Sequence, residues 1–158
     1  MNVQEQIAKY NGLTPDAVIQ MAGDLQLDKL KGESLTSPAD TTAYLKTVLK
    51  SRKREVFICI FLDNRHRVIE SEDLFKGTID GSAVYPRVIA EKALGHNAAA
   101  IIIAHNHPSG TTEPSLADQA ITRRIRDAML LLEIRLLDHF VIGDGEPVSF
   151  AERNLLWP

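Results

Sequence analysis

Seven consecutive apolar residues, Ala98 to Ala104, stop at His105-Asn106-His107-Pro108. Three of the seven are β-branched isoleucines, and such a run reads as a strand buried on both faces. A strand of that kind needs a sheet covered on two sides, so this feature constrains the fold more than any other in the chain. The histidines fall at the carboxyl end of the strand, where α/β sheets tend to place their ligand sites. Residues at i and i+2 of an extended segment share a face. His105 and His107 should therefore project together, with Asn106 on the opposite side.

Pro108, Gly110 and Pro114 break regular structure, so 108–114 is expected to be a loop. A helix should follow from Ser115, because Ala117, Ile121, Ile125, Ala128 and Leu132 recur near the 3.6 period. Asp118 falls in its first turn. Two neutral imidazoles and one carboxylate suit Zn²⁺ with a fourth position open, so His105, His107 and Asp118 are candidate metal ligands. Asp118 has a second reading: Ser115 and Asp118 fit S-x-x-[DE], the capping box of a helix N-terminus. A carboxylate engaged by a metal is expected to have no reach left for its own N-cap, so the two readings compete. Hydrolysis also needs a base that is not a ligand. Glu55, at the head of the run Val56 to Leu62, can serve, although beside Ser51-Arg52-Lys53-Arg54 it also reads as a surface carboxylate paired with a neighbouring base.

The rest of the chain alternates helix and strand. Two short helices are expected at about 3–9 and 15–21, then a linker at Lys31-Gly32-Glu33-Ser34, and a longer helix from Ser37-Pro38 to Leu49. Strands at about 55–62 and 66–75 should form a hairpin about Asp63-Asn64-Arg65. A helix over Tyr85 to Leu94 should stop near Gly95. A further strand covers 134–142, a turn Gly143-Asp144-Gly145, and one helical turn Ser149 to Asn154. This order predicts an α/β fold, a mixed β-sheet flanked by helices on both faces. Glu55 begins its strand and His105 ends its own. They share a sheet edge if those strands are antiparallel neighbours, and that is the expectation. Residues 1–36 are read as a short helical extension and linker, and 37–158 as the metal-binding domain.

His105-x-His107-Pro108, followed by Ser115 and Asp118, resembles the JAMM motif of the MPN-domain metallopeptidases. The HNHPSG form with Pro114-Ser115-x-x-Asp118 looks like the RadC branch of that family. Arg54-Glu55-x-Phe57, Leu62-Asp63, Lys76-Gly77-Thr78, Tyr85-Pro86-Arg87 and Asp138-His139 extend the resemblance over about residues 38–153. It implies the three-layer, cytidine-deaminase-like architecture of MPN domains. It also implies zinc on His105, His107 and Asp118, Glu55 as catalytic general base, and Ser115 as a catalytic hydroxyl supporting the oxyanion. The activity implied is that of a zinc-dependent metallopeptidase or isopeptidase acting on a peptide or protein substrate. Asn106 stands where members that cleave isopeptide bonds to ubiquitin usually carry Ser or Thr.

Composition excludes other classes. A net charge of −3 lacks the basic footprint of a dedicated nucleic-acid binder. Arg123, Arg124 and Arg126 are expected on a solvated helix face. Cys59 is the single cysteine and should be packing, not redox chemistry. No signal peptide or run of ~20 apolar residues is present, so a cytoplasmic protein without a membrane span is expected. A zinc nucleobase deaminase needs H-x-E and P-C-x-x-C, which this chain lacks. A metal-dependent nuclease and a non-catalytic MPN-type interaction module remain alternatives, and a homo-oligomer is possible. His66 and His96 should be solvated in turns. Asp138-His139 reads either as support for a ligand histidine or as a hydrogen-bonded core pair.

Overall fold

The computed structural model of the protein describes residues 2, 4–5, 12–35, 37–77 and 84–157. Five strands form one sheet in the order β2-β1-β3-β4-β5, with β1 Val56–Leu62, β2 Val68–Lys76, β3 Ala100–Asn106, β4 Arg135–Ile142 and β5 Val148–Ser149. β3 and β4 run parallel, and the other neighbours are antiparallel. The sheet is therefore mixed, as the sequence implied. The two apolar runs become the central strands: every residue of β1 and β3 is buried.

Alternation along these strands supplies two cores. Phe57, Cys59, Phe61, Ile101 and Ile103 face α3 (Pro86–Gly95) and α4 (Leu116–Leu131), meeting Ile89, Ala93, Ile121, Ile125 and Met129. Ile58, Ile60, Leu62, Ile102 and Ala104 face the other way, onto Tyr44, Leu45 and Leu49 of α2 (Pro38–Leu49). Helix, sheet and helix make three layers. Cys59 is fully buried, and burial pushes its thiol pKa well up, consistent with packing.

The N-terminal region departs from expectation. The helix expected over 3–9 falls largely outside the described residues, as does Thr78. The helix expected over 15–21 instead continues to Leu30, as α1 (Pro15–Leu30). Thr14 caps it and Pro15 opens it. A weak apolar pattern hid its length: tertiary contact with α2, so close that a Cβ on Gly23 would lie 2.6 Å from Val48 Cγ1, supports it. Lys31–Leu35 does not hang free as a linker. Gly32 N donates to Val68 O at 2.9 Å and Leu35 N to His66 O at 2.9 Å, which lays the segment along the start of β2.

Other differences are local. β2 starts at Val68, because Asp63 accepts from the amides of Arg65 and Arg67 and widens the turn. His96 is paired, not solvated: it meets Glu72 at 2.8 Å and lies against the Phe61 ring. His66 meets Arg135 at 3.1 Å. Arg126 leaves the solvated face expected of it, donating to the Leu156 carbonyl and stacking over Trp157. Among the described residues no helix is long and apolar enough to cross a membrane.

The loop after β3 is anchored to the turn after β4. His107 N donates to Ile142 O at 2.9 Å, and Asp144 N to Gly110 O at 2.8 Å. Gly143 sits under this contact, where a Cβ would fall on the Gly110 and Thr111 carbonyl oxygens. Both obstacles are backbone, so relief means moving the loop that carries His107. Gly143→Ala should therefore lower unfolding free energy by about 1–3 kcal/mol in a urea titration, and an unchanged midpoint would show that the loop yields freely.

Candidate metal centre

β3 delivers His105 as its penultimate residue and His107 one residue beyond its end, and α4 delivers Asp118 from its first turn. The three offer ligand atoms all within 4.8 Å of one another. His105 Nε2 lies 3.0 Å from His107 Nε2, His107 Nε2 lies 3.1 Å from Asp118 Oδ2, and His105 Nε2 lies 3.3 Å from Asp118 Oδ1. A tetrahedral ion with bonds of about 2.0–2.1 Å sets neighbouring ligand atoms about 3.3–3.4 Å apart. The two histidine nitrogens approach different oxygens of the one carboxylate, and with one atom taken from each residue the set stays within 4.8 Å, a span that a single ion could bridge. The site is deep on one side, with the His105 side chain fully buried and Asp118 2% exposed, and opens past His107 at 11%.

The donor set asks for a cation. His107 Nδ1 lies 3.1 Å from the Thr111 carbonyl, which can only accept, so Nδ1 carries the hydrogen and a neutral ring turns a bare Nε2 into the site. Asp118 is held ionised. Burial opposes its charge, but the two imidazoles at its oxygens and the Ser115 amide hold its pKa well below the usual carboxylate range. Protonated, the His107 ring would donate Nε2–H to Asp118, and this first, against burial, pushes its pKa above the usual imidazole range; the neutral ring described above is the form left once that proton is lost. The Asp118 charge, the Thr111 carbonyl and the Glu55 charge act in the same direction.

The competition expected between cap and ligand does not arise. Ser115 N donates to Asp118 Oδ2 at 2.9 Å and Asp118 N donates to Ser115 Oγ at 3.0 Å, a complete capping box. The same carboxylate still presents Oδ1 and Oδ2 to the imidazoles. An ionised carboxylate has about four lone-pair sites, so one side chain does both. Capping fixes the rotamer that points Asp118 at the histidines. Ser115 accepts in the box and is exposed, so its own hydroxyl hydrogen stays available to a ligand.

Glu55 immediately precedes β1 and is half-buried. The ladder ends at Phe57 opposite His105, two residues short of Glu55, and the Glu55 charge is felt at His107. Phe57 lies on the strand face of His105, with the two rings stacked.

Asn106, one of the residues whose role the sequence did not reveal, ties this arrangement together. Its Oδ1 accepts from Val56 N at 2.7 Å, and its Nδ2 donates to the carbonyls of Arg54 at 3.0 Å and Arg52 at 3.4 Å. A side chain between the two candidate ligands thus clamps the segment carrying Glu55. Its partners lie about fifty residues away, so no local pattern announces them.

Asp138 and His139 do not form a ring-to-carboxylate pair. Asp138 accepts from the His139 backbone amide, Ser149 Oγ and Ala151 N. The His139 ring instead stands behind His105, Nε2 to Nδ1 at 2.8 Å, and reaches Thr122 on its far side.

A three-layer α/β/α domain with a His-x-His and Asp cluster at a strand end is the class that the fold and site define. Residues 35–155 match the family described as RadC-like JAB domain, and the chain belongs to that family. A UPF0758 protein of Vibrio cholerae is 54% identical over 158 residues, covering 96% of this chain and 70% of the relative. One from Vibrio parahaemolyticus is 58% identical over 148 residues, covering 93% and 65%, and one from Halorhodospira halophila is 52% identical over 160 residues, covering 97% and 71%. These names state no activity. The chain thus spans 65–71% of the length of these relatives.

Asn106 gives a prediction. Asn106→Asp keeps the shape and the acceptor for Val56 N but sets a carboxylate against two carbonyl oxygens. It should destabilise the chain by about 1–3 kcal/mol, read by urea unfolding, and Asn106→Ala should cost a similar amount by orphaning the Val56 amide. Wild-type stability in both would mean that the clamp contributes nothing.

Proposed function

We propose that this chain is a zinc-dependent hydrolase of amide bonds, a metallopeptidase or isopeptidase acting on a peptide or protein. The observation that carries this reading is the meeting of two imidazole nitrogens and an ionised carboxylate at 3.0–3.3 Å, within the electrostatic reach of the Glu55 charge. His105, His107 and Asp118 would hold the ion. Zinc, when bound, supplies a Lewis acid and water of lowered pKa.

The chain's own residues supply the rest. Glu55, whose charge acts on His107, would take the proton of the attacking water and pass it to the leaving amine. Ser115, with its hydroxyl hydrogen unused by the capping box, would donate to the oxygen on which charge develops. The 108–114 loop, fixed to the Gly143 turn, would form one wall of the substrate groove. A net charge of −3 supports a peptide over a nucleic-acid substrate. The unit that acts is proposed to be residues 37–158, with 1–36 a helical extension and linker and the cytoplasm its compartment.

The test is hydrolysis by the zinc-loaded chain of a library of peptides and isopeptide-linked conjugates, read by mass spectrometry. The parent should cleave. Glu55→Gln should retain its zinc and lose roughly 10²–10⁴-fold in rate, and Ser115→Ala should lose about 10²-fold or more. A Glu55→Gln chain as fast as the parent would remove Glu55 as the base. A zinc-loaded parent that cleaves nothing would favour the interaction module.

A further inference from the structure

A second set of buried groups lies behind the ligands, where neither the substrate nor an ion would touch them. Thr122, one turn after Asp118 on α4, is fully buried, and so is His139 on β4. The Thr122 hydroxyl donates to the Asp118 carbonyl at 2.6 Å. A carbonyl only accepts, and a hydroxyl has one hydrogen. Thr122 Oγ1 can therefore only accept from His139 Nδ1, 2.6 Å away, and that nitrogen carries the hydrogen. His139 is fully buried between the rings of Phe57 and Phe150, and its two ring nitrogens meet a hydroxyl and an imidazole, so a charge there would be buried without a counter-charge and the ring is neutral. Its Nε2 is then a bare acceptor, and His105 Nδ1, at 2.8 Å, must be the donor. A neutral His105 with hydrogen on Nδ1 has none on Nε2, the atom that faces His107 and Asp118.

We propose that Thr122 and His139 are positioning residues for the metal centre: they form a one-way hydrogen-bond chain, from His105 through His139 and Thr122 to the Asp118 carbonyl, that sets the His105 tautomer for ligation before an ion arrives. The chain starts on the ring of one ligand and ends on the backbone of another. The direction of every link follows from the carbonyl at its end. Reversing one link would put a hydrogen on His105 Nε2, where the ion belongs. The relay also fixes the plane of the His105 ring, which stacks against Phe57 with the two planes 8° apart. The inference rests on the metal-centre reading above and goes beyond it, since neither residue is a ligand or a base. Partners behind a ligand histidine typically matter about 10–100-fold in metal affinity.

The test has two arms on the full chain. In the metal-free parent at pH 8, ¹⁵N-labelled imidazoles examined by long-range ¹⁵N–¹H correlation should show hydrogen on Nδ1 and none on Nε2 for both His139 and His105. Zinc affinity is then measured by competition with a chelator. Thr122→Val keeps the shape and loses the hydroxyl, and should bind zinc about 10–100-fold more weakly, with a mixed His139 tautomer. Thr122→Ser restores the hydroxyl and should return both readouts to the parent's, which a packing role would not do. A parent with hydrogen on His105 Nε2, or a folded Thr122→Val chain that binds zinc as tightly as the parent, overturns the relay alone. A parent that shows the expected tautomers and binds no zinc overturns the metal reading, and the role of the relay with it.

Discussion

Two imidazole nitrogens and a carboxylate converge within 3.0–3.3 Å in a pocket nearly closed to solvent. The electrostatics of that meeting governs the rest of the structure. Groups that only accept repel one another when desolvated, and leaving such groups uncompensated costs free energy. The fold holds them there by covalent connection, strand pairing and a helix cap. A single cation could satisfy all three at once, and the proposed function rests on that. The stability of the domain is spent in part on this corner, as is usual where a site is prepared in advance.

The sheet makes the meeting possible. β3 is central and buried on both faces, so its carboxyl end is rigid. The antiparallel partner β1 starts where β3 ends, which sets Phe57 opposite His105 and the segment carrying Glu55 at the same end of the sheet. Asn106 locks the two strand ends through three hydrogen bonds. The parallel neighbour β4 supplies His139 in register with Ile103, behind His105. α4 closes the site with Asp118, whose cap fixes its side chain. Each component is ordinary by itself, and the geometry comes from their register.

Much of this was legible in the chain. Apolar runs placed β1 and β3, the i, i+2 histidines placed two groups on one face, and the 3.6 period placed α4. The antiparallel pairing of β1 with β3 followed from asking how Glu55 could reach His105. Other features were not legible, for physical reasons. The cap and the candidate ligand role of Asp118 looked exclusive because sequence shows one side chain and not the two oxygens with separate directions. α1 was read too short because its contacts with α2 support it more than its own apolar pattern does. The work of Asn106, Thr122 and His139 depends on partners brought in by tertiary register. A threonine four residues after a ligand on the same helix is the one local hint, since a Thr hydroxyl can bond the carbonyl four residues back.

The most direct measurement is the metal content and X-ray absorption spectrum of the purified chain after equilibration with zinc and removal of excess. The account predicts one zinc per chain, with two imidazole nitrogens at about 2.0–2.1 Å and a carboxylate oxygen at about 2.0–2.2 Å, and loss of the ion in His107→Ala and Asp118→Ala. Zinc that washes out of the folded parent, or that stays bound when both of those side chains are removed, would contradict it.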